Sequence, residues 1–293
     1  MVGIVVGVDG SEQSRHALEW AARDAEARGV DVLILRSWHE PLIGGAGATW
    51  SAEYDEVVHD AKSELDAVAA EVHDAHPTVA VLSALVDAHP VKALLARAAS
   101  ADLVVLGSRG AGGFLGLELG SVSLKVARRS PVPVVVVRGD HDLSDHEEVV
   151  VGVDGSACSR HALRWAADWA HARGKRLVAL LAWNYLEPER ADGAHGFEPT
   201  YTSADAEAAL RTIVADVLDG VDGPDIALET VCDLPARAVM ERAAEASLLV
   251  VGRHGIGRWG SDMGSTNGQI LHHATVPVAV IPEVAAEADT AAD

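Results

Sequence analysis

The chain has 293 residues, enough for two domains that each bury a core of their own. Apolar residues make up 49% but aromatic ones only 4%, with the excess in Ala and Val, a composition suited to helices packed on a β-branched sheet. Lys and Arg number 23 against 44 Asp and Glu, a formal charge of −21, and such a surface repels phosphate backbones and anionic lipid heads, so neither nucleic acid nor membrane is an expected partner. An anionic small molecule is admitted only where backbone amides or a few cations locally overcome that field. Cys158 and Cys232 are too few for a disulfide framework and lack zinc spacing. With no basic, apolar leader after Met1 and no apolar run of membrane-spanning length, a cytoplasmic location is expected.

In chain order, Ile4–Val8 is a short β-branched run, and 14–28 has helical periodicity ending at Gly29, a C-cap. A second strand is expected at Val32–Leu35, a long helix at 53–76 stopped by Pro77, a third strand at 79–86, and a helix at 90–99 with Pro90 in its first turn. Leu103–Leu106 is the fourth strand, followed by a Gly-rich loop over 107–119, a helix from Gly120 to Arg129 and a fifth strand at Val132–Val137. Then the pattern starts again. VVGVDGS around Asp9 returns around Asp154, 145 residues later, as do Trp20 as Trp165, Gly29 as Gly174, and Gly107 and Gly110 as Gly252 and Gly255. Val132-Pro133 maps onto Val276-Pro277 at 144, so one residue has been lost between. A period this long is one domain per repeat. The expected division is a first domain at 1–138, a polar linker at 139–147, a second domain at 148–282 and an acidic tail at 283–293 that frays. Strands alternating with helices predict two tandem α/β domains, each a doubly wound parallel sheet of five strands.

In such a sheet ligands bind beyond the carboxyl ends of strands, where the strand order reverses. Two loops there carry unusual residues: Asp9-Gly10-Ser11, and the stretch GSRGAGGFLGLELGSVS from Gly107 to Ser123. Gly107 and Gly110 would let backbone amides approach phosphate oxygens, and Gly120 and Ser121 open a helix whose amides and dipole favour an anion, with the hydroxyls of Ser121 and Ser123 as further donors. Asp9 would bond ribose hydroxyls or adenine, or hold a divalent cation beside phosphates; its plain structural role is an Asx turn into the first helix. No Gly-Lys-Ser/Thr follows, so this is not a Walker A loop. Gly255-Ile256-Gly257-Arg258-Trp259-Gly260 fits the dinucleotide G-x-G-x-x-G pattern but follows the fourth strand instead of opening the domain, and is read as accidental. His272-His273, His73 with His76, and His16 or His161 form no repeated ligand set, so no protein metal site is assigned.

These segments, with the closing PVPVVVV at Pro131–Val137, resemble the universal stress protein family, in particular its ATP-binding branch in a tandem two-domain form. The resemblance implies an adenine nucleotide alpha-hydrolase-like fold with strand order 3-2-1-4-5, which brings Asp9 to the Gly loop. It implies ATP, with Mg²⁺, in each repeat. Adenine would lie near Asp9 and Ser37, and phosphates along Gly107, Ser108, Arg109, Gly110, Ala111, Gly112 and Gly113 and at Gly120, Ser121, Val122 and Ser123, with Gly7 allowing close approach beneath. In the second repeat the corresponding set is Gly152, Asp154, Ala182, Gly252, Arg253, Gly255, Gly257, Arg258, Gly264, Ser265 and Thr266, although only eight residues separate Gly255 from Gly264 where the first loop has nine. Pairing through the last strands would make the repeats an intramolecular pseudodimer, open to further homodimerisation. The function implied is a nucleotide-dependent stress sensor or regulator acting on a protein partner that the sequence does not name. A weak ATPase and a nucleotide-independent dimerisation scaffold remain as alternatives.

Overall fold

The computed structural model describes residues 2–38, 52–110, 119–139, 146–183, 202–220, 222–255 and 263–283. The chain divides into two compact units, Met1–Leu143 and Ser144–Asp293. In the first, β1 (Val2–Val8), α1 (Glu12–Arg28), β2 (Val32–Trp38), α2 (Ala52–Ala75), β3 (Val81–Asp87), α3 (Pro90–Ala98), β4 (Ala101–Gly107), α4 (Ser121–Arg129) and β5 (Val134–Val137) follow one another. The second repeats the series as β6 (Glu148–Gly152), α5 (Ala157–His171), β7 (Arg176–Trp183), α6 (Ser203–Leu218), β8 (Ile226–Cys232), α7 (Pro235–Arg242), β9 (Leu248–Gly252), α8 (Ser265–His273) and β10 (Val278–Ile281).

Within the first unit the strands run parallel in the order β3-β2-β1-β4-β5, and within the second β8-β7-β6-β9-β10, which is the expected 3-2-1-4-5 topology twice. The central strands are apolar without alternation because helices cover both faces. Ile4, Val5 and Val6 on β1 and Leu103, Val104 and Val105 on β4 are wholly buried, as are Val149–Val151 on β6. α1 packs on β1, β4 and β5, and α2 on β2 and β3, while α3 packs on β1, β2 and β4 and against α4. Right-handed crossovers put these two helix pairs on opposite faces, so the chain parts between β1 and β4.

Several elements differ at their ends from the periodicity. β2 continues past Leu35 to Trp38, because Arg36 and Ser37 still pair with Leu85 and Val86 of β3 while the Arg36 guanidinium reaches out to Glu64 at 3.0 Å. β5 begins at Val134, two residues later than expected: Pro133 has no amide for the ladder and contributes only its carbonyl, to the Val104 amide. Gly29 ends α1 in the left-handed conformation (φ 65°), as expected of a glycine C-cap.

Candidate functional site

The cleft of the first unit begins where β1 runs out. Gly10 turns the chain with φ +84°, a conformation that suits glycine, and the Ser11 side chain caps α1 by accepting the Ser14 amide. Asp9 is fixed in this turn: its Oδ1 accepts the Ser11 amide at 3.1 Å and the Ser11 hydroxyl at 2.6 Å. The Asx turn is therefore present. It leaves Oδ2 directed at Gly110, where a Cβ would collide with it. The Ser11 hydroxyl also lies 3.5 Å from the Arg109 carbonyl, so the loops after β1 and β4 meet.

The loop after β4 closes on itself before α4 begins. Ser108 is buried, its amide donating to Val137 and its carbonyl accepting the Gly120 amide at 2.7 Å. The Ser123 hydroxyl donates to the Gly107 carbonyl at 2.7 Å, and so ties α4 to the end of β4. α4 starts at Gly120 with no side-chain cap, unlike α1, whose Ser11 cap serves it. The first-turn amides of Ser121, Val122 and Ser123 thus point along a helix axis whose positive end opens on the cleft.

The glycines are required for two different reasons. A Cβ on Gly107 would come within 2.6 Å of the Gln13 carbonyl of α1, and one on Gly7 within 2.6 Å of Leu106 and 3.2 Å of Leu94. Gly107 thus lets α1 approach the end of β4, and Gly7 makes room for Leu106 of β4 and Leu94 of α3, packing needs that stand beside the expected phosphate approach. Gly110 is the one whose bareness makes room beside Asp9.

The resulting cleft has a volume of about 310 Å³. Of the expected residues, Gly7, Asp9, Ser37, Gly107, Arg109, Gly110, Gly120, Ser121, Val122 and Ser123 line it, together with an apolar wall from Leu35, Pro90, Leu94 and Leu106 that motif reasoning did not name. Ser108 is buried and does not line the cleft, and Ala111, Gly112 and Gly113 fall outside the described residues. The Ser37 hydroxyl donates to the Ala88 carbonyl.

The second unit builds the same cleft, again of about 310 Å³. Asp154 Oδ1 accepts the Ser156 amide at 3.0 Å and hydroxyl at 2.6 Å, and a Cβ on Gly255 would come within 2.5 Å of Asp154 Oδ2. Gly252 abuts the backbone of Cys158, whose buried thiol is pushed up in pKa by desolvation, against the smaller effect of a backbone hydrogen bond from His254. Gly264 caps α8 without a side-chain bond. Gly152, Asp154, Ala182, Gly252, Gly255, Gly264 and Thr266 line this cleft; Ser265 is the first residue of α8, Arg253 does not line the cleft, and Gly257 and Arg258 lie outside the described residues. Among the other residues that line it, His254 and Asn267 are polar side chains that the motifs do not single out. They occupy the places of Arg109 and Ser123, and the repeat offset was the signal that could have found them. The Asn267 amide donates to the Gly252 carbonyl at 2.5 Å, taking over the tie that Ser123 makes in the first unit.

The universal stress protein family model matches residues 3–138 and again 146–282. The chain belongs to the universal stress protein family. Among similar relatives are two universal stress proteins of Mycobacterium tuberculosis, Rv2005c (33% identical over 286 residues, 95% of this chain and 96% of the relative) and Rv2623 (32% over 294 residues, 96% and 97%). A universal stress protein of Archaeoglobus fulgidus, solved by crystallography, shares the fold with a TM-score of 0.70 at 24% identity, covering 96% of both chains. In this universal stress protein no described helix is long and apolar enough to cross a membrane, and no three His, Cys, Asp or Glu side chains among the described residues are grouped to hold a metal ion.

Proposed function

We propose that each repeat binds an adenine nucleotide, ATP in the first instance, and that the protein acts as a nucleotide-dependent sensor or regulator, with no enzymatic role assigned. The observation that carries this reading is the pairing, in both units, of an uncapped helix N-terminus with a fixed carboxylate across one cleft. The amides at the start of α4 and α8 suit phosphate oxygens, the carboxylates of Asp9 and Asp154 suit hydroxyl or exocyclic amine donors, and the apolar wall of Leu35, Leu94 and Leu106 suits a base. At Gly110 and Gly255 any side chain would meet the carboxylate, so glycine keeps the loop open beside Asp9 and Asp154.

Mg²⁺ would arrive on the phosphates, and no protein ligand is assigned to it. ATP would order the loops after β4 and β9, altering a surface seen by a protein partner. The two repeats are proposed to pair through their last strands as a pseudodimer, with homodimerisation beyond that.

The test is to denature the purified protein, identify released nucleotide by chromatography and mass spectrometry, and compare Gly110→Val and Gly255→Val. Each substitution is expected to remove about half of the bound nucleotide. Absence of nucleotide, with no binding heat on adding ATP, would overturn the reading in favour of a nucleotide-independent scaffold.

A further inference from the structure

The two clefts share their amides and carboxylates but not their cation. Arg109 lines the first, and its counterpart His254 lines the second. Both residues leave the backbone at the same point: the Arg109 carbonyl lies 3.5 Å from the Ser11 hydroxyl and the His254 carbonyl 3.3 Å from that of Ser156. The second loop does carry a guanidinium one residue earlier, at Arg253, where the first has Ser108. Arg253 does not replace Arg109, however. It does not line the cleft, its Nε is buried, and its charge is felt at the Cys158 thiol in the first turn of α5.

We propose that Arg109 and His254 set the phosphate-charge selectivity of the two clefts: the first favours long phosphate chains at any working pH, and the second does so only while the His254 imidazole is protonated. This rests on the nucleotide reading above. Arginine stays charged throughout, whereas an ordinary imidazole changes charge near pH 6.5. The charged groups at this corner are mixed in sign: Asp154 from the β6–α5 turn, which lines the cleft with His254, and Glu283 after β10 and Arg253 in the loop itself, all three of which act on the Cys158 thiol that the His254 backbone bonds. The first turn of α8 offers only the neutral Thr266 and Asn267, and the α7 side offers Pro235 and Val239. The amides of α4 and α8 hold phosphate in either case, so the cation changes discrimination among phosphate chains more than binding itself.

The test uses the full chain with one cleft blocked, by Gly255→Val or by Gly110→Val, titrated calorimetrically with AMP, ADP and ATP at pH 6 and pH 8. In the first cleft ATP is expected to bind about tenfold tighter than AMP at both pH values, the scale of one charge-assisted contact. In the second the preference is expected to be similar at pH 6 and to fall to about twofold at pH 8. Titration of the ligands' own phosphates is common to both clefts, so the difference between them isolates the protein. His254→Arg is expected to make the second cleft pH-independent, and Arg109→His to confer pH dependence on the first. If these exchanges leave the ATP-to-AMP ratios unchanged while ATP still binds, the assignment of selectivity is overturned and the nucleotide reading stands. If neither single-cleft protein binds any of the three nucleotides, both fall.

Discussion

At the residue scale, the two glycines of each loop should respond differently to the same methyl group. Gly107→Ala places a Cβ within 2.6 Å of the Gln13 carbonyl, backbone against backbone, and Gly252→Ala does the same to Cys158. Relief requires moving α1 or α5 off the sheet, so each is expected to destabilise its unit by about 1–3 kcal/mol, the range for overpacked sites. Gly110→Ala meets only the terminal Oδ2 of Asp9, a side-chain atom and not the backbone of a helix. Its expected effect on stability is within about 0.5 kcal/mol, while nucleotide retention by the first cleft is lost. Urea denaturation of nucleotide-free protein checks the first effect and nucleotide release the second; equal destabilisation by Gly107→Ala and Gly110→Ala would contradict the distinction. The glycine pattern was legible in the sequence, but the purpose of each glycine was not. Gln13 and Gly107 are far apart in the chain, and no spacing rule says that a strand end touches a helix start. The Ser123 hydroxyl was expected to face a ligand for the same reason, whereas in the structure it donates to the Gly107 carbonyl.

At the scale of elements, α1 is clamped to the end of α2 by a network that metal-minded scanning of the histidines could not identify. His76, buried just past α2, has Nδ1 at 3.1 Å from Glu26 and Nε2 at 3.5 Å from Glu19; Thr78 donates to Glu26 at 3.1 Å, and Arg23 holds Glu19 at 2.8 Å. Hydrogen bonds from His76 first and Thr78 second hold the Glu26 carboxyl below its ordinary pKa of 4.5. A carboxylate lowered by folding stabilises the folded state above its unfolded pKa, and that stabilisation is lost as pH falls through the folded value. Glu26→Gln should therefore lower the urea midpoint at pH 6 and converge on the wild type as pH falls through the lowered folded-state pKa. A deficit that stayed constant with pH would show that packing, and not the charge, is what the substitution removes. Among the described residues of the second unit no equivalent network is found: Arg164 and Asp168 stand where Glu19 and Arg23 do and pair with each other at 3.4 Å. Helix and strand types were legible from periodicity alone. The missed ends, at β2 and β5, lie where a polar residue still pairs in the ladder or a proline cannot.

At the scale of the whole molecule, the governing quantity is the formal charge of −21. The most exposed ion pairs do little to offset it, since their carboxylates are largely solvated: Glu64 is 68% exposed, Glu241 64% and Asp225 82%. Pairs of this kind contribute about 0–1 kcal/mol each and weaken with salt. The self-repulsion of 44 acids against 23 bases also weakens with salt, and it acts over the whole surface. The two effects oppose each other. At about 10 mM ionic strength the screening length is near 30 Å, comparable to a domain, and at about 100 mM it is near 10 Å, so long-range repulsion is screened well before contact pairs are. The melting temperature of the nucleotide-free protein is therefore expected to rise as NaCl goes from about 10 to about 150 mM, and then to level off. Chloride can be compared with fluoride to separate screening from specific ion binding. A melting temperature that fell over the same range would mean that local pairs outweigh the net charge. The negative field would then be too weak to confine anion binding to the two clefts.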